Sequence, residues 1–195
     1  PTLLHPDLAL FQQEILTWHE VYTLRPGETV RSREKEPTAL QEERLKVREV
    51  PGSRQCWFYV AATHSCRIYE HRPEQCRRQN CWGEPAPAPE PGELLSRRHL
   101  LEKVPEIWEL IQAHEGRCAL RPLVRALENP EAARDLLFEA LHFDHYLRQM
   151  LTEEWGLSPA ATEFLLGRPH NEPLPAFYPR KPQPRLNQPP PCSAA

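Results

Sequence analysis

Apolar residues near the start of the chain recur with a helical period. Asp7 can cap a helix, and the apolar positions after it are spaced by four, three and four residues. They predict one amphipathic helix with an apolar face made of Phe11, Ile15, Trp18 and Tyr22. Turn residues at 25–27 end the pattern.

The pattern then changes to short runs typical of strands. Residues 45–48 and 56–60 are such runs and flank the turn pair Pro51-Gly52, so they predict a β-hairpin. A third short strand is expected at 67–69. Pro73 and Glu74 follow it and suit the first turn of a short helix.

The second half of the chain has helical spacing almost throughout. One apolar face runs from Leu100 to Ile111, and Pro105 should split or kink that helix. A long helix is expected from Asn129-Pro130-Glu131, and a last one from Ser158-Pro159. The pattern predicts the α+β class: a small cysteine-bearing lobe with a β-hairpin, and a helical lobe.

Proline refines this picture, because 23 of the 195 residues are Pro (about 12%), against a usual share of about 5%. The prolines concentrate at 84–91 and after residue 168, and such segments favour extended conformations without a packed core. They divide the chain into a cysteine-bearing metal-binding domain at 1–83, a proline-rich linker at 84–93, a helical region at 94–168 and a proline-rich tail without fixed structure at 169–195.

Charge and hydropathy exclude several classes of protein. The net charge is −3 and the pI is near 6.3, so no general basic field favours nucleic acid. No apolar run approaches the roughly 18 residues of a membrane-spanning helix. There is neither a secretory signal nor a glycine-rich phosphate loop, which favours a cytoplasmic protein and disfavours an NTP- or NAD-dependent enzyme.

Four of the six cysteines fall within 26 residues, as Cys56-x9-Cys66-x9-Cys76-x4-Cys81. Thiolates are the ligands that zinc and iron–sulfur clusters prefer, and four complete such a site. Arginines crowd the same stretch and could offset the charge of the cluster: Arg67, Arg72, Arg77 and Arg78. Two disulfides or four free thiols are the alternatives. Zinc ribbons usually have paired Cys-x-x-Cys knuckles, so their absence favours iron–sulfur.

The spacing sets one geometric requirement. Five residues turn a helix by about 140°, so Cys76 and Cys81 cannot share a face if residues 73–80 are helical. Asn80 would then have to end the helix and bring Cys81 back.

Residues 66–77 read Cys-Arg-Ile-Tyr-Glu-His-Arg-Pro-Glu-Gln-Cys-Arg. This run resembles the signature of the YkgJ-type cysteine-cluster family of zinc- or iron-chelating domains, and Cys56 and Cys81 match its flanking cysteines. The resemblance covers roughly residues 1–83. It implies a bound metal, zinc or iron, including iron in an iron–sulfur cluster. A similar domain occurs in the flagellin lysine methylase, so the resemblance also leaves room for a modification enzyme.

The chain departs from that family in one respect. Members typically begin with a Cys-x-x-Cys-Gly-x-Cys-Cys block, whereas no cysteine precedes Cys56 here. In the family that block lies just before a segment that resembles residues 1–5. We expect the natural protein to extend further and to carry the block immediately before Pro1, which sequencing of the native N terminus would test.

Weaker signals lie in the helical region. Glu139-x-x-His142, Asp144 and His145 have the spacing of a carboxylate-bundle iron site, but no second such motif occurs, so an outer helix face is expected. Asp144 and Arg148 should form an ion pair within that helix. Three functions remain: a metal-binding protein, a cluster-dependent modification enzyme, or a metal-stapled interaction module with a protein partner.

Overall fold

The computed structural model describes residues 1–30, 37–53, 55–79, 89–90, 92–129 and 131–170. It combines helices with small antiparallel strand pairs, which confirms the α+β class. The helices are α1 (Leu8–Gln12), α2 (Glu74–Arg78), α3 (Arg97–Leu101), α4 (Pro105–Cys118), α5 (Leu120–Ala126), α6 (Arg134–Glu153) and α7 (Pro159–Leu166). The strands are β1 (Val21–Leu24), β2 (Thr29–Val30), β3 (Thr38–Ala39), β4 (Arg44–Val47), β5 (Tyr59–Val60) and β6 (Ser65–Cys66).

The first helix is much shorter than the apolar spacing predicts. Helix α1 ends at Gln12, and Glu14 has a left-handed backbone with φ 57°. Glu20 then accepts hydrogen bonds from the backbone and hydroxyl of Thr17, which makes a turn. Tyr22 lies in β1 rather than in the helix. The prediction was wrong beyond Gln12, because burial of β1 against the core overrides the helical spacing.

The central strand pair joins β1 to β4 in antiparallel register, with Val21 opposite Val47. The predicted hairpin survives only as the isolated bridge between Glu49 and Cys56, supported by a hydrogen bond from Val50 N to Gln55 O. The segment after it forms its own hairpin, β5–β6, instead of the strand expected at 67–69.

The helical half follows its sequence signals more closely. Pro105 is the first residue of α4, so the proline splits the predicted helix in two. Helix α6 begins at Arg134, a few residues later than predicted. The hydroxyl of Ser158 caps α7 by accepting a hydrogen bond from Ala161 N, as the sequence suggests.

One large apolar core contains side chains from both predicted lobes. It joins Leu3, Val21 and Leu45 to residues of α4, α6 and α7 such as Ile111 and Leu166. Helix α7 packs on β1, and Thr23 Oγ1 donates to Phe164 O at 2.6 Å. Both predicted parts contribute side chains to this one core. The division into separate domains therefore stays a prediction.

None of the described helices is both long and apolar enough to cross a bilayer.

Candidate metal centre

The first two candidate ligands lie in the small hairpin region. Cys56 forms the bridge with Glu49, and Cys66 in β6 pairs with Tyr59. Both side chains are half-buried and pack against the edge of the large core. Both carry free thiols, so the alternative of two disulfides is not realised in this structure.

Cys76 lies on α2, a helix without buried residues. Polar contacts attach this helix to the start of the chain. Glu74 N donates to Asp7 Oδ1 at 2.7 Å, and Thr2 N donates to Gln75 Oε1 at 2.5 Å. Burial raises the pKa of Asp7, whose other carboxylate oxygen accepts from Leu4 N. Asp7 therefore fixes where the cysteine-bearing helix begins.

Helix α2 ends earlier than the spacing argument requires. It stops at Arg78, and Gln79 is already extended, with φ −123° and ψ 133°. Asn80 and Cys81 lie outside the described residues. The early end removes the helical constraint on the distance from Cys76 to Cys81, so the predicted termination at Asn80 is not needed.

The three described thiols are not gathered into a ready ligand set. The sulfur atoms of Cys56, Cys66 and Cys76 do not form a group within 4.8 Å of one another in the described part of the chain. Zinc–sulfur bonds are about 2.3 Å long, so a tetrahedral site needs closer thiols. Thiol sulfur atoms suit a metal ion. Binding one here would require the segment from 56 to 81 to bring these sulfur atoms closer together.

The neighbouring arginines are partly engaged elsewhere. The guanidinium of Arg72 lies 3.8 Å from the ring centroid of Tyr69, and that of Arg67 lies 5.4 Å from Phe58. Arg78 pairs with Glu74 and also with Glu93. Their role as compensating charges for a cluster stays a prediction.

A second polar cluster lies between α4, α6 and the segment that follows α7, and its carboxylate and both imidazoles are buried. His114 Nε2 lies 2.8 Å from Asp144 Oδ1, and His170 Nδ1 lies 3.0 Å from Asp144 Oδ2. Arg148 Nε contacts both oxygens of the same carboxylate, at 3.1 and 3.0 Å. Arg25 faces the opposite nitrogens of the two imidazoles, at 3.5 and 3.3 Å.

Two imidazoles and one carboxylate have the ligand types of a metal site, but their surroundings oppose a cation. Arg148 already neutralises Asp144, and a divalent ion would add two buried positive charges beside Arg25. A metal-bound His114 would also need an acceptor for its outer N–H, whereas Arg25 offers a donor there. Arg25 has its own counter-charge in Glu115, 3.6 Å away, so these side chains form a charge-balanced hydrogen-bond network that holds the end of the described chain.

This network was not predicted from the sequence. The prediction that Asp144 lies on an outer helix face was wrong, while its predicted ion pair with Arg148 is confirmed. One signal was available: Ile111, His114 and Cys118 are spaced by three and four residues, so His114 lies on the buried face of α4. No local pattern indicated His170.

The buried network predicts a loss of stability in mild acid. Burial lowers the pKa of His114, so the folded protein keeps this imidazole neutral while the unfolded chain takes up a proton below about pH 6.5. Its contribution is fully present above pH 6.5 and is lost as the pH falls, with a slope approaching about 1.4 kcal/mol per pH unit. Urea unfolding between pH 7 and 5 measures this. His114→Gln should flatten the slope, and exposed His145→Gln should not; equal slopes in all three proteins contradict the assignment.

Cys118 differs from the other described cysteines and should be unreactive. Its thiol is fully buried and donates to Ala140 O at 3.4 Å, and burial raises its pKa to about 12. Because the thiolate is the nucleophile, iodoacetamide at pH 8 should modify Cys56 and Cys66 in the folded protein and reach Cys118 only after unfolding. Peptide mass spectrometry checks this, and early labelling of Cys118 would refute it.

Cys56, Cys66 and Cys76 lie on separate short segments of a small α+β protein and define a cysteine-rich segment with the ligand chemistry of a metal site. Residues 13–107 match the model of the family described as "CxxCxxCC: putative zinc- or iron-chelating domain", which confirms the predicted resemblance to the YkgJ-type proteins. All four clustered cysteines fall within this range. The match supports metal binding. Comparisons with curated proteins and with solved structures find no match.

Proposed function

We propose that this protein binds metal through Cys56, Cys66, Cys76 and Cys81, as an iron–sulfur cluster or a zinc or iron ion. The supporting observation is that the family match spans all four cysteines. The three described thiols come from separate short segments and are half-buried, so an incoming ion can reach them. An iron–sulfur cluster is the favoured form, because the spacing lacks the paired knuckles of zinc ribbons.

Binding should be coupled to local folding. Cys56 and Cys66 are anchored at the edge of the core, whereas α2 is attached through the polar contacts of Asp7 and Gln75. Ligation would draw α2 towards the hairpin, and part of the binding free energy would then stabilise the fold.

The test is anaerobic purification followed by metal analysis, sulfide analysis and a visible absorption spectrum. Brown protein with iron and acid-labile sulfide supports a cluster, and colourless protein with about one zinc per chain supports a structural ion. Cys76→Ser should abolish stoichiometric metal, while Cys192→Ser, outside the cysteine segment, should not. Metal-free protein contradicts the proposal.

Metal removal gives an independent readout. If the ion or cluster staples the segment from 56 to 81, a chelator should lower the unfolding midpoint of the loaded protein, and Cys76→Ser should become insensitive to chelator. An equal effect of chelator on both proteins would place the metal elsewhere.

A further inference from the structure

Helix α6 carries a line of exposed rings on the face turned away from the core. Phe138, His142 and Tyr146 are spaced by four residues, and Phe138 and Tyr146 are 68% and 56% exposed. The rings of Phe138 and His142 stack with centroids 6.0 Å apart. Large exposed apolar side chains grouped in this way mark interaction sites.

These rings form one wall of an open groove of about 730 Å³. The end of α4 supplies the other wall through Gly116 and Arg117, whose guanidinium lies 4.5 Å from the ring centroid of Phe143. Glu139 also lines the groove and makes no ion pair with another described residue. The groove is therefore aromatic, with one available negative charge.

The described chain ends on the buried side of the two helices that form this groove. His170 Nε2 lies 3.3 Å from Cys118 O, one residue beyond Arg117, and His170 Nδ1 lies 3.0 Å from Asp144, between His142 and Tyr146 in α6. The last described residue thus touches both helices that form the groove. Whatever follows His170 starts there.

The sequence that follows has the chemistry to fill an aromatic groove. Eight of residues 171–195 are Pro, and residues 179–185 read Pro-Arg-Lys-Pro-Gln-Pro-Arg. Proline-rich segments bind aromatic-lined grooves as preformed polyproline helices at a small entropic cost. The three basic side chains of this run complement Glu139.

The chain that follows His170 is long enough to reach the groove. Pro179 is nine positions after His170, and an extended proline-rich chain covers about 3.1 Å per position, or about 28 Å. A helix with its side chains is only about 10–12 Å across, so the chain can pass around α6 from its buried side.

We propose that the groove is covered by the protein's own tail, with residues 179–185 against Phe138 and Tyr146 and a basic side chain facing Glu139. The tail then acts as an internal competitor for proline-rich partners on this surface. The proposal is independent of metal binding, because none of the groove residues belongs to the cysteine segment.

Limited trypsin digestion of the full chain tests this at the Arg185–Leu186 bond. Docking protects the bond, since cleavage follows the undocked population, and Phe138→Ser should increase its rate by about tenfold. Trp155→Ser is the matched control, because Trp155 is a ring of similar exposure, 54%, outside the groove. Circular dichroism confirms that both variants fold. Equal cleavage rates in all three proteins overturn the proposal.

Charge reversal and dilution complete the test. Glu139→Lys should also speed cleavage, and adding Arg180→Glu and Lys181→Glu should restore protection. Docking within one chain predicts rates that do not change on dilution. Protection that is lost on dilution, with a dimer at high concentration, would assign the groove to the tail of a second copy and reject the intramolecular arrangement.

Discussion

Asp144→Asn is expected to lower the free energy of unfolding by about 3–5 kcal/mol, because it breaks a buried ion pair on one side only. The Asp144 side chain is 6% exposed and meets Arg148, His114 and His170. Burial alone would raise its pKa, yet the hydrogen bonds from the two imidazoles and the Arg148 charge hold the pKa of Asp144 well below its usual range. The substitution keeps the shape and leaves Arg148 without its counter-charge.

Urea denaturation followed by circular dichroism measures this effect. Glu139→Gln is the matched control: it also turns a carboxylate into an amide on α6, but at an exposed position. Its effect should stay within about 0.5 kcal/mol. A loss below about 1 kcal/mol for Asp144→Asn would show that the network is not a principal support of the fold.

Arg97→Met should be similarly damaging, at about 3 kcal/mol or more. Arg97 begins α3 with its side chain 2% exposed; it pairs with Glu43 at 2.6 Å and with Glu115 at 2.8 Å. Its other guanidinium nitrogen donates to the backbone oxygen of Leu165 at the end of α7. Methionine fills much of the volume but leaves two carboxylates and a carbonyl oxygen without their common donor.

The next residue provides the control for Arg97. Arg98 is exposed on the same helix, so Arg98→Met should change the unfolding free energy by no more than about 0.5 kcal/mol. Thermal unfolding of the two variants and of the unchanged protein measures this difference in stability. Equal midpoints for both variants would contradict the role given to Arg97.

Local sequence signals predicted the helical half of the fold. They failed where contacts between residues far apart in the sequence determine the secondary structure. Pro105 and Ser158 mark helix starts through backbone chemistry of their own, so their positions could be inferred from sequence. Tyr22 fits a helical period but lies in a strand, because its neighbours Val21 and Thr23 are buried against β4 and α7. That choice depends on residues more than 130 positions away.

The candidate site was likewise predicted only where local sequence carries the information. The spacing and the Arg-Pro-x-x-Cys-Arg run pointed to the cysteine segment, and the family match confirms the resemblance. Bringing the thiols within ligand distance of one another depends on the positions of several short elements. The spacing of the cysteines in the sequence does not specify those positions. The network around Asp144 was missed because Arg25, His114 and His170 are brought together only by tertiary packing.

The packing of β1 against α7 has a consequence for synthesis. Thr23 finds its hydrogen-bond partner only when Phe164 has been made, and Arg97 finds Leu165 at the same late stage. Contacts of such high sequence separation slow folding, because a long loop must close before they form. During translation the face of β1 therefore stays uncovered until almost the whole described chain has left the ribosome, and this interval is the period of greatest exposure to aggregation.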